Sequence, residues 1–225
     1  MKTVLITGAS RGIGQATAKK FLDEGWEIIG TSTSGKLNLK SDHLISIKLD
    51  LASGKDIAEV AQKIAGMNKK IDVLINNAGI ALDSWDEGVD LAKTRQTFEV
   101  NLFGLIDFAE RLLPVIKDGG SVINMDSRYG SFSMPIDDNT SIGYRMAKAA
   151  LNMYTRFLAF RLKERDITVS SVDPGWVKTD MGIASGDEHS KPDREPEEPA
   201  AEIYNLATSK VESGLFWHKG KVREW

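Results

Sequence analysis

Short runs of Val, Ile and Leu alternate along the chain with longer segments in which apolar residues return every three or four positions. The short runs read as strands at residues 2–7, 26–31, 44–49, 71–75, 120–125, 167–172 and 213–217. They lack the polar alternation of a sheet with one wet face, so both faces are expected to be covered and the strands to be parallel. The longer segments predict helices near 12–24, 54–66, 90–117, 141–164 and 197–208. The first of these opens at a glycine-rich turn and stops at Gly25, a residue suited to the end of a helix. Strand, helix and strand in repeated order, with right-handed crossovers, give an α/β fold. It is expected to be a doubly wound, mostly parallel seven-stranded sheet, Rossmann-like, with helices on both faces.

No linker or internal repeat divides the 225 residues, so 1–225 are expected to form a single domain. The one biased stretch, Gly186 to Pro199, is rich in Pro, Glu, Asp and Lys and predicts a mobile surface loop. Because it follows a strand end, it is also placed to cover a ligand. Composition removes several functions. A net charge of −3 without a basic cluster argues against nucleic acid, and no stretch is long and apolar enough for a membrane. Cysteine is absent, which excludes disulfides and thiol chemistry and fits a reducing cytoplasm. His43, His189 and His218 lack ligand-like spacing, so no metal site is expected.

Two motifs carry candidate chemistry. Gly8-x-x-x-Gly12-x-Gly14 follows the first strand directly and opens the first helix. There Gly8 permits a sharp turn, Gly12 admits a pyrophosphate to the backbone, and Gly14 lets helix and strand pack closely. The helix N-terminus adds unpaired N–H donors and partial positive charge. Far along the chain, Tyr144 and Lys148 stand one helical turn apart on a shared face. A positive charge beside a phenol stabilises the phenolate, so the pair is expected to lower the tyrosine pKa. Alone that spacing is a weak signal; it gains weight from the phosphate loop.

Thr7-Gly-x-x-x-Gly-x-Gly, Asn76-Asn77-Ala78-Gly79, Asp50, and Pro174-Gly175-Trp176-Val177-x-Thr179 occur in an order and spacing that resemble the short-chain dehydrogenase/reductase family over nearly the whole chain. The resemblance implies a nicotinamide cofactor held by Gly8, Ser10, Arg11, Gly12, Ile13 and Gly14. Leu51 would line the same site, with Asn77, Ala78 and Gly79 supporting the sheet beside the cofactor. Asp50 would accept the adenine amino group, and Val177 and Thr179 would meet the carboxamide. The catalytic set it implies is Asn101, Ser127, Tyr144 and Lys148. Tyr144 would be the general acid in carbonyl reduction, Lys148 would tune it and bind ribose, Ser127 would polarise the carbonyl, and the helix of Asn101 would carry a water to the lysine. Asp126 departs from the family, where a second serine is frequent. Ser131 and Ser133 compete with Ser127 if the register is misread. The long interval from Ser127 to Tyr144, with Pro-Gly-Trp-Val-x-Thr-Asp-Met, resembles the carbonyl-reductase branch near C-factor and sniffer proteins.

NADP(H) is expected over NAD(H). The second strand ends without the acid that binds a ribose 2′-hydroxyl, whereas Ser32, Thr33, Ser34, Lys36 and Arg11 can meet a 2′-phosphate. The expected partner is a small carbonyl or alcohol substrate. Relatives pair as homodimers or homotetramers through helices that would hold residues 101–117 and 141–164. Leu151, Tyr154, Phe157 and Leu158 form an apolar stripe there, read as core or interface. Trp176 and Met181 are candidates to line a pocket, and Trp85 reads as surface. The competing readings are a cofactor-binding regulatory protein with little turnover and a non-redox dehydratase or epimerase.

Overall fold

Neighbouring residues of the first strand part to opposite sides of a sheet, and both sides are dry. In the computed structural model, which describes residues 1–186 and 190–225, Val4 and Ile6 of β1 (Thr3–Ile6) join Phe21, Trp26 and Ile203. Leu5 between them joins Ile57, Phe108 and Leu158. A period of two with apolar residues at every position is what a sheet covered twice requires. Helices α1 (Gly12–Asp23) and α7 (Glu197–Thr208) form one layer. The helices α2 (Gly54–Ala65), α4 (Leu105–Leu112) and α5 (Ile142–Arg161) form the other.

The strands are β2 (Glu27–Ser32), β3 (Leu44–Lys48), β4 (Ile71–Asn76), β5 (Ile116–Met125), β6 (Thr168–Asp173), β7 (Leu215–His218) and β8 (Lys221–Arg223). They lie in the order β3-β2-β1-β4-β5-β6-β7-β8. The seven expected strands are parallel, and β8 is an addition, antiparallel to β7. Three residues, two of them basic, give no strand signal. The turn gives it: Lys219 and Gly220 both have positive φ, +50° and +71°, as a two-residue hairpin needs. Winding reverses direction between β1 and β4, which opens a crevice at the carboxyl ends of the strands.

The helix expected over 90–117 is three pieces. It runs as α3 (Leu91–Phe98), a π-helical turn at Glu99–Gly104 that contains Asn101, and α4. Its last residues belong instead to β5, which begins at Ile116 opposite Ile71. Gly104 closes the π turn against the neighbouring backbone, where a Cβ would stand 1.9 Å from the Leu51 carbonyl oxygen. Periodicity cannot register one extra residue in a turn. The stretch expected to be a loose loop is also different. Asp187–His189, including the histidine read as a non-ligand, lie outside the described residues, but Arg194 beyond them is buried. Its guanidinium donates to the Pro174 carbonyl at 2.5 Å and pairs with Glu202 of α7, anchoring the segment.

Helix α5 begins without a cap of its own. Ser141 is left-handed, with φ +55°, and its side chain accepts nothing. Asp83, a buried residue in the segment after β4, supplies the cap instead. Its Oδ2 accepts from the N–H of Gly143 at 2.6 Å and of Tyr144 at 3.2 Å. A carboxylate satisfies orphan donors there and is favoured by the helix dipole. Gly143 makes room for it, since a Cβ would lie 2.6 Å from Thr94 Oγ1 and 3.0 Å from Asp83 Oδ2. Asp83→Ala is therefore expected to cost roughly 1–2 kcal/mol, read as a lower Tm, whereas Asp83→Asn keeps an acceptor and most of the stability. An alanine variant as stable as the parent would remove Asp83 from this role.

Candidate active site

The first cradle is built from backbone. Gly8 and Gly12 have φ +69° and +55°, and a Cβ on Gly14 would sit 2.2 Å from the Gly8 carbonyl oxygen. The turn is tied to the next strand by side chains. Thr7 Oγ1 accepts from the N–H groups of Asn77 and Ala78, both at 3.0 Å, while Asn77 Nδ2 donates to the Thr7 carbonyl at 2.8 Å. The N-terminus of α1 has no side-chain cap and no acidic residue in its first turn, so its N–H donors face the cleft ready for an anion. Asn38, not anticipated, steadies the loop from the β2 side by donating to the Ser10 carbonyl at 3.3 Å.

This turn borders a cleft of about 590 Å³. Most residues expected around the cofactor line it, from Gly8, Ser10, Arg11, Gly12, Ile13 and Gly14, through Thr33, Asp50 and Leu51, to Asn77, Ala78, Gly79, Tyr144, Lys148 and Thr179; Val177, Ser34 and Lys36 do not. Val177 lines the adjoining cavity and bridges to Arg194. Thr31 and Ser32 are on the wall beside Thr33. Arg11 reaches across the mouth to Asp180 at 2.7 Å. The glycine cradle and open helix end fit a dinucleotide diphosphate.

The four catalytic candidates arrive from three separate elements. Tyr144 and Lys148 come from α5, Ser127 from the turn after β5, and Asn101 from the π turn. Tyr144 lines both the cleft and the adjoining cavity of about 370 Å³, and Ser127 lines the latter. Ser131 and Ser133 are bonded to each other at 2.8 Å and tied to Glu224 and Trp225, outside both cavities. Asn101 reaches neither cavity. Its amide is spent on Ile80, accepting from the N–H at 2.8 Å and donating to the carbonyl at 2.7 Å. Lys148 is buried and donates to the Met125 carbonyl at 2.7 Å.

The electrostatics differ from the expectation that Lys148 lowers the Tyr144 pKa. Burial of the phenol, and then the Asp126 carboxylate, push it up, and a hydrogen bond from Ser127 only partly opposes them. Lys148 is itself lowered by burial, with Asp126 acting against the shift. Asp126 is pushed up to about 7 by burial, with Lys148 and the Ser127 N–H opposing. The expected phenolate-stabilising field is thus countered by a carboxyl that sequence reading left undecided.

The second cavity has an apolar wall formed by Trp85, Tyr129, Met134, Trp176 and Met181. Trp176 and Met181 were expected there. Trp85, read as surface, is half exposed as expected and also borders this cavity; its backbone has a positive φ of +66°. The apolar stripe of α5 divides, with Leu151 and Leu158 in the core, Tyr154 bonded to Glu110, and Phe157 exposed. Among the described residues, no cluster of three or more His, Cys, Asp or Glu is placed to hold a metal, and no helix is long and apolar enough to cross a membrane.

The same architecture recurs in known proteins. A profile described as short chain dehydrogenase matches residues 2–190. The 3-oxoacyl-(acyl-carrier-protein) reductase of Vibrio cholerae is 32% identical over 194 residues, spanning 83% of this chain and 78% of the relative. The crystal structure of an NADPH-bound carbonyl reductase from chicken fatty liver superposes with a TM-score of 0.85 at 26% identity, covering 100% of this chain and 99% of the other. The carbonyl reductase Sniffer of D. melanogaster shares the fold, with a TM-score of 0.85 at 24% identity and full coverage of both chains. With sheet order, glycine cradle and sequence match in agreement, the chain belongs to the short-chain dehydrogenase family.

Proposed function

We propose that this chain is an NADPH-dependent oxidoreductase that interconverts a ketone or aldehyde with its alcohol, using Tyr144 as general acid and base. The observation that carries this reading is a junction: Tyr144 borders both the dinucleotide-sized cleft and the apolar cavity beside it. A phenol at that boundary can reach a carbonyl oxygen while the carbonyl carbon faces the cleft. The residues lining the cleft would hold a nicotinamide there, and it would supply the hydride. Tyr144, held protonated by its surroundings, gives its proton to the oxygen as negative charge develops. Ser127 donates a hydrogen bond to the same oxygen. Lys148 would hold the ribose hydroxyls, and the π turn around Asn101 would seat a water that returns a proton from solvent. Asn101 thus acts by holding the turn in place through Ile80.

Preference for NADPH rests on Arg11 and on the hydroxyl-lined end of β2. The Arg11–Asp180 pair is about three-quarters exposed at both ends, so it contributes little and exchanges readily for a 2′-phosphate. The aromatic and thioether wall suits a medium-sized carbonyl compound with an apolar body. The same reading includes pairing with a second copy through α5, whose outer face carries exposed Met153, Phe157 and Phe160.

NADPH consumption across a panel of ketones and aldehydes tests the activity, and Tyr144→Phe is expected to lower it by about 10²–10⁴-fold while cofactor fluorescence still reports binding. Binding without turnover in the parent protein would instead mark a cofactor-dependent regulator. Arg11→Ala is expected to weaken NADPH binding by about tenfold or more and to leave NADH binding unchanged; equal losses for the two cofactors would remove Arg11 from 2′-phosphate recognition.

A further inference from the structure

One buried ionisable group at the site has no part in the chemistry above. Asp126 follows β5 directly, precedes Ser127 and lines both cavities, yet is only 3% exposed. Its Oδ1 accepts from the Ser127 N–H at 2.7 Å, its own N–H donates to the Val172 carbonyl at 2.7 Å, and its Oδ2 is buried without a partner. Lys148 donates to the carbonyl of Met125, the residue just before it. The backbone therefore brings the carboxyl of 126 and the amine of 148 to one corner of the cleft.

We propose that Asp126 is a positioning residue for proton transfer, whose buried carboxyl keeps Tyr144 in its proton-donating form and biases the site towards carbonyl reduction over alcohol oxidation. This rests on the oxidoreductase reading. In reduction a hydride adds to the carbonyl carbon and the Tyr144 proton to the oxygen, and the tyrosinate is reprotonated from solvent. Oxidation runs the reverse and needs Tyr144 as the base. A lone ammonium at 148 would favour that tyrosinate; an ammonium matched by a carboxylate would not.

The surrounding charges support the assignment. From α5 the carboxyl meets the charge of Lys148 and acts on Tyr144, and from β6 it meets Ser171 and Asp173, while Arg128 and Tyr129 of the turn after β5 line the same cavity. Asp173 is balanced by two cations, Arg223 at 2.9 Å and Arg128 at 3.6 Å. Among the described residues Asp126 has no ion pair of that kind, and Lys148 is the ammonium that acts on it. Burial holds its proton up to about 7. Above that pH it is an anion that opposes ionisation of Tyr144 and helps Lys148 keep its charge.

Parallel pH profiles of alcohol oxidation and carbonyl reduction, with NADP and NADPH, test this. In Asp126→Asn the rising limb of oxidation is expected to move to lower pH by about one unit or more, and the ratio of the oxidation kcat to the reduction kcat, both at saturation and one pH, to rise about tenfold. Asp126→Ser is expected to show the same shift and serves if the asparagine variant folds poorly. Unmoved limbs in both variants overturn the proposal, since a purely structural role would alter rates without moving a limb. Carboxyl-carbon NMR of the cofactor-free protein gives a readout that needs no substrate. Asp126 is expected to titrate near neutrality and at higher pH in Lys148→Met, and titration in the ordinary carboxylate range overturns the proposal. Absence of any turnover, with the NMR result intact, would fault the oxidoreductase reading instead.

Discussion

The structure depends on how firmly one helix is held against the carboxyl edge of the sheet. Helix α5 carries the phenol and the amine, so any rotation of it would separate them from the turns that complete the site. Gly130 lets the turn after β5 lie against its backbone, where a Cβ would come within 2.6 Å of the Lys148 carbonyl carbon. Asn152 then joins that turn to β6, donating to the Gly130 carbonyl at 3.1 Å and accepting from Ser171 at 2.6 Å. Further along, Asn76 donates to Asn124 and Asn124 to Thr155, each at 2.8 Å, crossing β4, β5 and α5 in one line. Buried amides linked in this way favour a single arrangement, because breaking a link strands a further polar group away from water, as Asn76 Oδ1 already is.

The nucleotide half obeys the same logic with backbone in place of side chains. Gly14 and Gly8 touch where no Cβ could fit, and Thr7 and Asn77 lock the glycine turn to β4. Both halves are thus referred to the same strand ends. Cleft and apolar cavity meet at Tyr144 because each is bordered by loops leaving neighbouring strands of one twisted sheet.

How much of this was legible in the chain follows from where the information lies. The parallel sheet was readable because Val4, Leu5 and Ile6 are apolar without interruption, and the cleft because the glycine turn sits between a strand and a helix. The cap on α5 was not. Asp83 lies 60 residues before Gly143, and only the fold brings them together. The π turn was hidden too, since one residue more per turn leaves the apolar pattern of 90–117 nearly intact. Gly104 inside a helical run was the one local hint. Trp85 is a surface residue, as its acidic loop suggested, but its place on the rim of the apolar cavity has no signature in the letters. The sign of the tyrosine shift was misjudged for a related reason. Spacing reveals the ammonium one turn away but says nothing of desolvation or of the carboxyl approaching from another strand.

The short hairpin at the end of the sheet has a consequence for how copies of this protein can meet. A parallel strand such as β7, left bare, would offer its unpaired amides and carbonyls as a template for a neighbour. Strand β8 occupies that border with three residues, two of them cationic, and is too brief to accept a further ribbon. Growth of the sheet from one molecule into the next is thereby discouraged on this flank. A neighbour approaching this flank would have to be met by side chains, with no backbone ladder on offer.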